Sequence, residues 1–170
     1  MIKKLLVTST CALLIAACAQ SPTGRRQIML FNDAELGKMG AQTFESMKAE
    51  TPIAKDAKTN SYVKCVANSL LAVTPDSTRA QSWEIVVFAA DQVNAFALPG
   101  GKIGVYTGLL KVAQNQDQLA AVVGHEIAHV IAGHSNERLS TNQGIQTILA
   151  LGDAGMKAYG VKYQQELMTA

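Results

Sequence analysis

The 170-residue sequence has almost no surplus of charge and very little cysteine. Its formal net charge is +2, from 15 basic and 13 acidic residues. Lys3 and Lys4 account for that excess and lie in a leader-like segment, so the remainder of the chain is at parity. A neutral chain lacks the electrostatic footprint of a nucleic-acid binder, and its charge gives no strong attraction to anionic lipid. Of the three cysteines, Cys11 lies within the leader and Cys18 closes it, which leaves Cys65 alone and excludes an internal disulfide. No repeat or second compositional block divides the chain. Thr147 to Gly160 is apolar but broken by glycine, and it falls short of the roughly 18 residues a membrane span needs.

What the chain has at its start is an export signal. Lys3 and Lys4 precede an apolar stretch from Leu5 to Ala17, and Ile15-Ala16-Ala17-Cys18 makes a small-residue approach to a cysteine. The segment looks like a bacterial lipobox, which implies cleavage before Cys18, lipidation of Cys18 and anchoring by two or three acyl chains. Ala19 after the cysteine, in place of aspartate, favours the outer membrane on its periplasmic side by analogy with lipoprotein sorting. The expected organisation is a signal peptide over 1–17, a lipidated tether over 18–32 that becomes ordered at its apolar end, and one domain over 33–170. Arg25 and Arg26 are expected to be solvated.

Beyond the tether, Asp33 opens a helix expected to run to Glu50, with Leu36, Met39, Gly40, Phe44 and Met47 at helical spacing before Thr51-Pro52. A second helix is expected from Asp56 to Val73, turning Tyr62, Val63, Val66, Leu70 and Leu71 to the core with Cys65 as packing. Thr74-Pro75-Asp76-Ser77 reads as a turn, and Trp83 to Ala89 as a strand. The run VNAFALPGGKIGVYTGLL reads as two strands reversing at Pro99-Gly100-Gly101. A strand there is either an edge that pairs with an extended substrate or simply part of a core sheet. Asn94 caps a strand or orients backbone. The glycine-broken stretch Thr147 to Gly160 is expected to be a mobile packed segment or short helix, and Val161 to Ala170 to continue as helix.

The chemistry concentrates in QLAAVVGHEIAHVIAGHSNER. Asn115 and Gln118 resemble a helix N-cap pair, and Leu119, Val122, Val123, Ile127, Val130 and Ile131 give the helix broad apolar cover. His125 and His129, four apart, project from one face about 6 Å from each other, a spacing that can grip one metal ion. Glu126 lies about 100° around the helix from His125, poorly placed as a ligand but within reach of a water beside the metal. Neutral imidazoles suit Zn²⁺, which lowers the pKa of water to about 7, and Glu126 is placed to serve as general base and then as acid toward the leaving amine. With three His and seven Glu in the chain, chance is a poor explanation for this pattern. His134 is nine positions from His125, about 900° on, so on a continuous helix it faces away from the ion and packs against a neighbour. The glycine-turn pattern HExxHxxGxxH is not met, because here glycine comes one place late and histidine one place early.

With its lipobox, SPTGRRQIMLF, the NAFALPGG block and HEIAH, the sequence resembles the zinc metallopeptidase family of the CAAX prenyl protease, Oma1 and HtpX, and within it the bacterial periplasmic lipoprotein branch. The resemblance covers most of residues 21–140. It implies an α+β, mostly helical gluzincin domain with a small β-sheet ahead of the HExxH helix, and one zinc ion held by His125 and His129. It also implies Glu126 as catalytic base and misfolded envelope proteins as substrates. In that family the third ligand is a glutamate in a later ExEAD-like motif that this sequence lacks. Glu137, two turns along a continuous helix, cannot fold back onto the ion, and Glu166 reaches it only if the glycine-rich segment turns the chain back. Two functions are therefore carried forward. One is a zinc endopeptidase of the envelope. The other is a C-terminally truncated, lipid-anchored binding or chaperone-like protein of the same fold, with little turnover.

Overall fold

The computed structural model describes residues 18–79 and 81–158. The leader, Glu166 and the helix expected over 161–170 lie outside the described residues. The chain opens with an antiparallel pair, β1 (Cys18–Gln20) and β2 (Arg26–Ile28), with Cys18 opposite Ile28. Residues expected to form a tether ordered only at its apolar end are thus already paired from Cys18.

Helix α1 (Asp33–Glu50) has the expected span, but its cap is Asn32 and not Asp33. The Glu35 amide donates to the Asn32 side chain at 2.9 Å, and the Asn32 amide donates to the Glu35 carboxylate at 3.1 Å, a reciprocal box that needs the residue three before Glu35. Leu36, Gly40 and Phe44, one turn apart, form its buried stripe, while Met39 is exposed.

Helix α2 (Ala57–Leu71) is capped by Asp56, which accepts from the Thr59 amide at 2.7 Å. It buries Val63, Val66, Ala67 and Leu71. Tyr62 and Cys65, expected on the core side, are both exposed. Cys65 lies about 200° from Val63 around the helix, so burying the Val63 stripe turns the thiol outward. The expected turn after α2 contains a one-turn helix, α3 (Asp76–Arg79).

Three strands follow: β3 (Glu84–Phe88), β4 (Ala95–Leu98) and β5 (Lys102–Tyr106), in the order β3-β5-β4. β4 and β5 form the expected hairpin, while β3 pairs with β5 in parallel. Side chains alternate across this sheet as the pleat requires. Ile85, Val87, Ala95, Ala97, Ile103 and Val105 join the core beneath α2 and the later histidine helix. Phe88, Phe96 and Tyr106 point the other way and cluster with Phe44 of α1, with ring centroids 5.5–6.2 Å apart.

Thr107 ends the sheet by starting α4 (Thr107–Val112), where the sequence pattern had read as strand. Two helices complete the described chain: α5 (Gln116–Ile131) and α6 (His134–Ala158). The glycine-broken stretch from Thr147 is, as far as Ala158, continuous helix and not a short piece, with Ile148, Leu149 and Leu151 exposed. No helix among the described residues is long and apolar enough to cross a membrane. The architecture is α+β and mostly helical, with the small sheet ahead of α5 and only the short α4 between them.

Candidate metal centre

Helix α5 is fixed at its start by the expected pair: the Gln118 amide donates to the Asn115 side chain at 2.9 Å. Leu119, Val123 and Ile127 then anchor one face in the core beneath β4. That anchoring sets the adjacent flank, where His125 is exposed and Glu126 and His129 are half-buried. The two imidazoles meet: His125 Nε2 and His129 Nε2 are 3.0 Å apart, with ring centroids at 4.5 Å and planes at 81°. The structure therefore brings the His125 and His129 rings together on one face of α5, and Glu126 follows His125 on the same helix.

His134 departs from the expectation. Helix α5 does not continue through it, because the chain turns at Gly133, whose φ is +67°. The Gly133 amide donates to the Val130 carbonyl at 3.0 Å and the Ala132 amide to the Ala128 carbonyl at 2.9 Å, closing the helix as a left-handed glycine terminus does. A Cβ at Gly133 would sit 2.6 Å from Cε of Met29, the movable end of a flexible side chain, so it is chiefly the positive φ that favours glycine. The turn starts α6 at His134 and swings its ring against His129, with Nδ1 to Nδ1 at 2.5 Å and ring centroids at 4.7 Å. His134 thus reaches the back of His129, on the nitrogen opposite the one that faces His125.

Glu137 is likewise not on a continuation of α5, and it is already engaged. Arg25 makes a bidentate pair with its carboxylate, one arm at 2.6 Å, and Gln27 Nε2 donates to the same carboxylate at 3.1 Å and to the Ala132 carbonyl at 2.9 Å. Hydrogen bonding from Arg25 is the main cause that lowers the Glu137 pKa from an ordinary 4.5 to about 2. Arg25, expected to be solvated, is therefore partnered. Asn136 and Ser140, one turn apart on α6, continue the brace. The Leu30 amide donates to Ser140 Oγ at 2.8 Å, and Asn136 Nδ2 donates to the Phe31 carbonyl at 2.6 Å. The i,i+4 spacing of Asn136 and Ser140 is a signal that could have marked a polar seam, whereas nothing local in the sequence marks Arg25 and Gln27 as the partners of Glu137.

His129 and His134 open onto a groove of about 770 Å³. Leu36, Met39 and Gly40 of α1, Ala97 and Leu98 of β4, and Glu126 and His129 are among its walls. β4 is an outer strand of the three-stranded sheet and also contributes Ala95 and Ala97 to the core. Among the described residues, no cluster of three or more His, Cys, Asp or Glu side chains is placed to hold a metal ion. Glu166 lies outside them, and of Cys18 only its strand position is described.

Comparison with known proteins matches residues 57–167 to the profile of Peptidase family M48. The chain is 37% identical over 102 residues to the mitochondrial metalloendopeptidase OMA1 of Schizosaccharomyces pombe, covering 60% of this chain and 30% of the relative. It is 29% identical to the Beta-barrel assembly-enhancing protease of Yersinia pestis, over 69% of this chain and 24% of the relative. Metalloprotease LoiP of Escherichia coli is 28% identical over 166 residues, 91% of this chain and 63% of the relative. The chain spans less than a third of the length of the first curated relatives it matches.

Proposed function

Because the chain belongs to peptidase family M48, we propose that it is a zinc-dependent metalloendopeptidase of the bacterial cell envelope. In this reading His125 and His129 hold one zinc ion and Glu126 is the general base. Cys18 carries the lipid that keeps the protein on the periplasmic side of a membrane, the outer membrane by its Ala19. The substrates are misfolded or damaged envelope polypeptides. The observation that carries the proposal is the convergence of His125 Nε2 and His129 Nε2, at the margin of a groove that Glu126, His129 and β4 line.

The donors fit the ion. Two nitrogens each about 2.0–2.1 Å from one zinc must lie within about 4.2 Å of each other. The observed 3.0 Å meets that bound with neutral donors of the right chemistry. A bound zinc ion supplies Lewis acidity and brings the pKa of water to about 7. The chain's own groups do the rest. β4, with no strand partner on its outer side among the described residues, offers backbone donors and acceptors to an extended polypeptide. Glu126 takes a proton from the attacking water and returns it to the departing nitrogen as the peptide C–N bond breaks. Apolar groove residues such as Leu36, Met39 and Leu98 suit the hydrophobic side chains that unfolded proteins expose. Catalytic zinc normally takes three protein donors. Glu166, the only acidic residue after Asp153, is the one to test.

The experiment measures zinc content and cleavage of an unfolded envelope protein. His125→Ala should lose most of its zinc. Glu126→Gln should keep zinc while cleavage falls by about 10²–10⁴-fold. Zinc loss in Glu166→Gln would identify the third donor. Equal zinc in wild type and His125→Ala would overturn the metal assignment, and zinc retention without cleavage by the wild type would leave a groove that binds unfolded chains without turnover.

A further inference from the structure

We infer that His134 is a positioning residue for His129: by accepting the Nδ1 proton of His129, it holds that ring in the tautomer whose Nε2 is free to bind a metal. The inference rests on the zinc reading of His125 and His129. It concerns the contact between His129 Nδ1 and His134 Nδ1 at 2.5 Å, which that reading does not use.

The three histidines form a chain of rings, with His125 Nε2 against His129 Nε2 at 3.0 Å and His129 Nδ1 against His134 Nδ1 at 2.5 Å. Each contact needs one donor and one acceptor, and a neutral imidazole has one of each. Only two proton arrangements satisfy both contacts. In one, His125 donates from Nε2 to His129 Nε2, and His129 donates from Nδ1 to His134 Nδ1. In the other, both bonds run the opposite way, His129 carries its proton on Nε2, and its metal-facing nitrogen has no free lone pair. The first arrangement leaves His129 ready, so that only His125 must change tautomer when a metal binds. The second requires both ligands to change.

Which nitrogen of a histidine is free is set by the hydrogen bond that the other nitrogen makes. His134 is placed to set it. Gly133, at φ +67°, starts α6 at His134 and turns its ring onto His129. Gln27 holds the Ala132 carbonyl, and Asn136 holds the Phe31 carbonyl, on either side of the turn. The His134 ring is half-buried, which limits competition from water for the His129 Nδ1 proton.

The chain has only three histidines, so a histidine-¹⁵N-labelled, untagged protein gives three ring systems to resolve. The metal-free full chain is examined through the ¹⁵N resonances of its imidazole nitrogens, which tell a protonated ring nitrogen from a bare one. Wild-type His129 is expected with its proton on Nδ1. In His134→Ala that proton should move to Nε2, and zinc affinity should fall by about 10–100-fold. His134→Gln, whose amide oxygen also accepts, should restore the Nδ1 proton and bring affinity to within about threefold of wild type. A wild-type His129 protonated on Nε2 overturns the inference without any variant, as does a His134→Ala protein unchanged in both tautomer and affinity. Unaltered zinc binding in His125→Ala would instead count against the metal assignment, and the metal-free tautomer is read independently of that result.

Discussion

Glu137 shows how one side chain can be diverted from the chemistry its sequence position suggests. It is an acidic residue eight positions beyond His129, yet its two oxygens are taken by Arg25 and Gln27. A carboxylate whose folded pKa is depressed contributes stability that is fully present above its ordinary value and is lost as pH falls through the folded one. For Glu137 that window runs from 4.5 down to about 2. Thermal unfolding of wild type and Glu137→Gln should therefore differ near neutral pH, with the wild type more stable. The difference should shrink as pH is lowered across this window. A constant difference from pH 7 to pH 2 would mean that the Arg25 pair is not its source.

The turn between α5 and α6 is the element on which the site depends, and two glycines near it should respond to alanine in opposite ways. Gly133 sits at positive φ with Met29 close by, so alanine there must adopt the left-handed region, at a cost of about 1–2 kcal/mol, and must displace the Met29 methyl. Gly144 is within α6 and would add its Cβ to open space, so alanine there should stabilise by about 0.5–1 kcal/mol. Urea midpoints of the two variants test this. Stabilisation by Gly133→Ala would refute the role given to the turn. The same element shows what was legible beforehand. HEIAH, the Asn115 cap, the β4–β5 hairpin and the 33–50 helix are written in spacings of a few residues, and all appear. The helix break at Gly133 was missed because a glycine within an apolar helical pattern does not announce its φ. The outward turn of Tyr62 and Cys65 depends on which stripe of α2 the sheet covers, and the Arg25–Glu137 pair joins residues 112 apart. Neither is carried by local pattern.

Across the whole molecule, the proposed anchor and the proposed centre are close along ordered structure. β1 begins at Cys18, and in the β1–β2 pairing Ala19 lies opposite Gln27, whose side chain bonds the Ala132 carbonyl at the α5–α6 turn. Paired strands lie about 4.8 Å apart, so no slack linker separates the lipidation position from the brace on that turn. A lipid on Cys18 would hold the groove near the membrane surface, and two or three acyl chains would suffice for stable attachment. The bonds described at the turn run through Gln27, Arg25 and Asn136, so the anchor and the site are expected to depend on different groups. Cys18→Ser is therefore expected to move the protein from the membrane to the soluble fraction, with zinc content and cleavage of a soluble unfolded substrate within about twofold of wild type; the mass of the mature amino terminus would report the lipid directly. Unchanged membrane fractionation would reject the anchor. Release accompanied by loss of zinc would show that the lipid itself holds β1 and β2 against the turn.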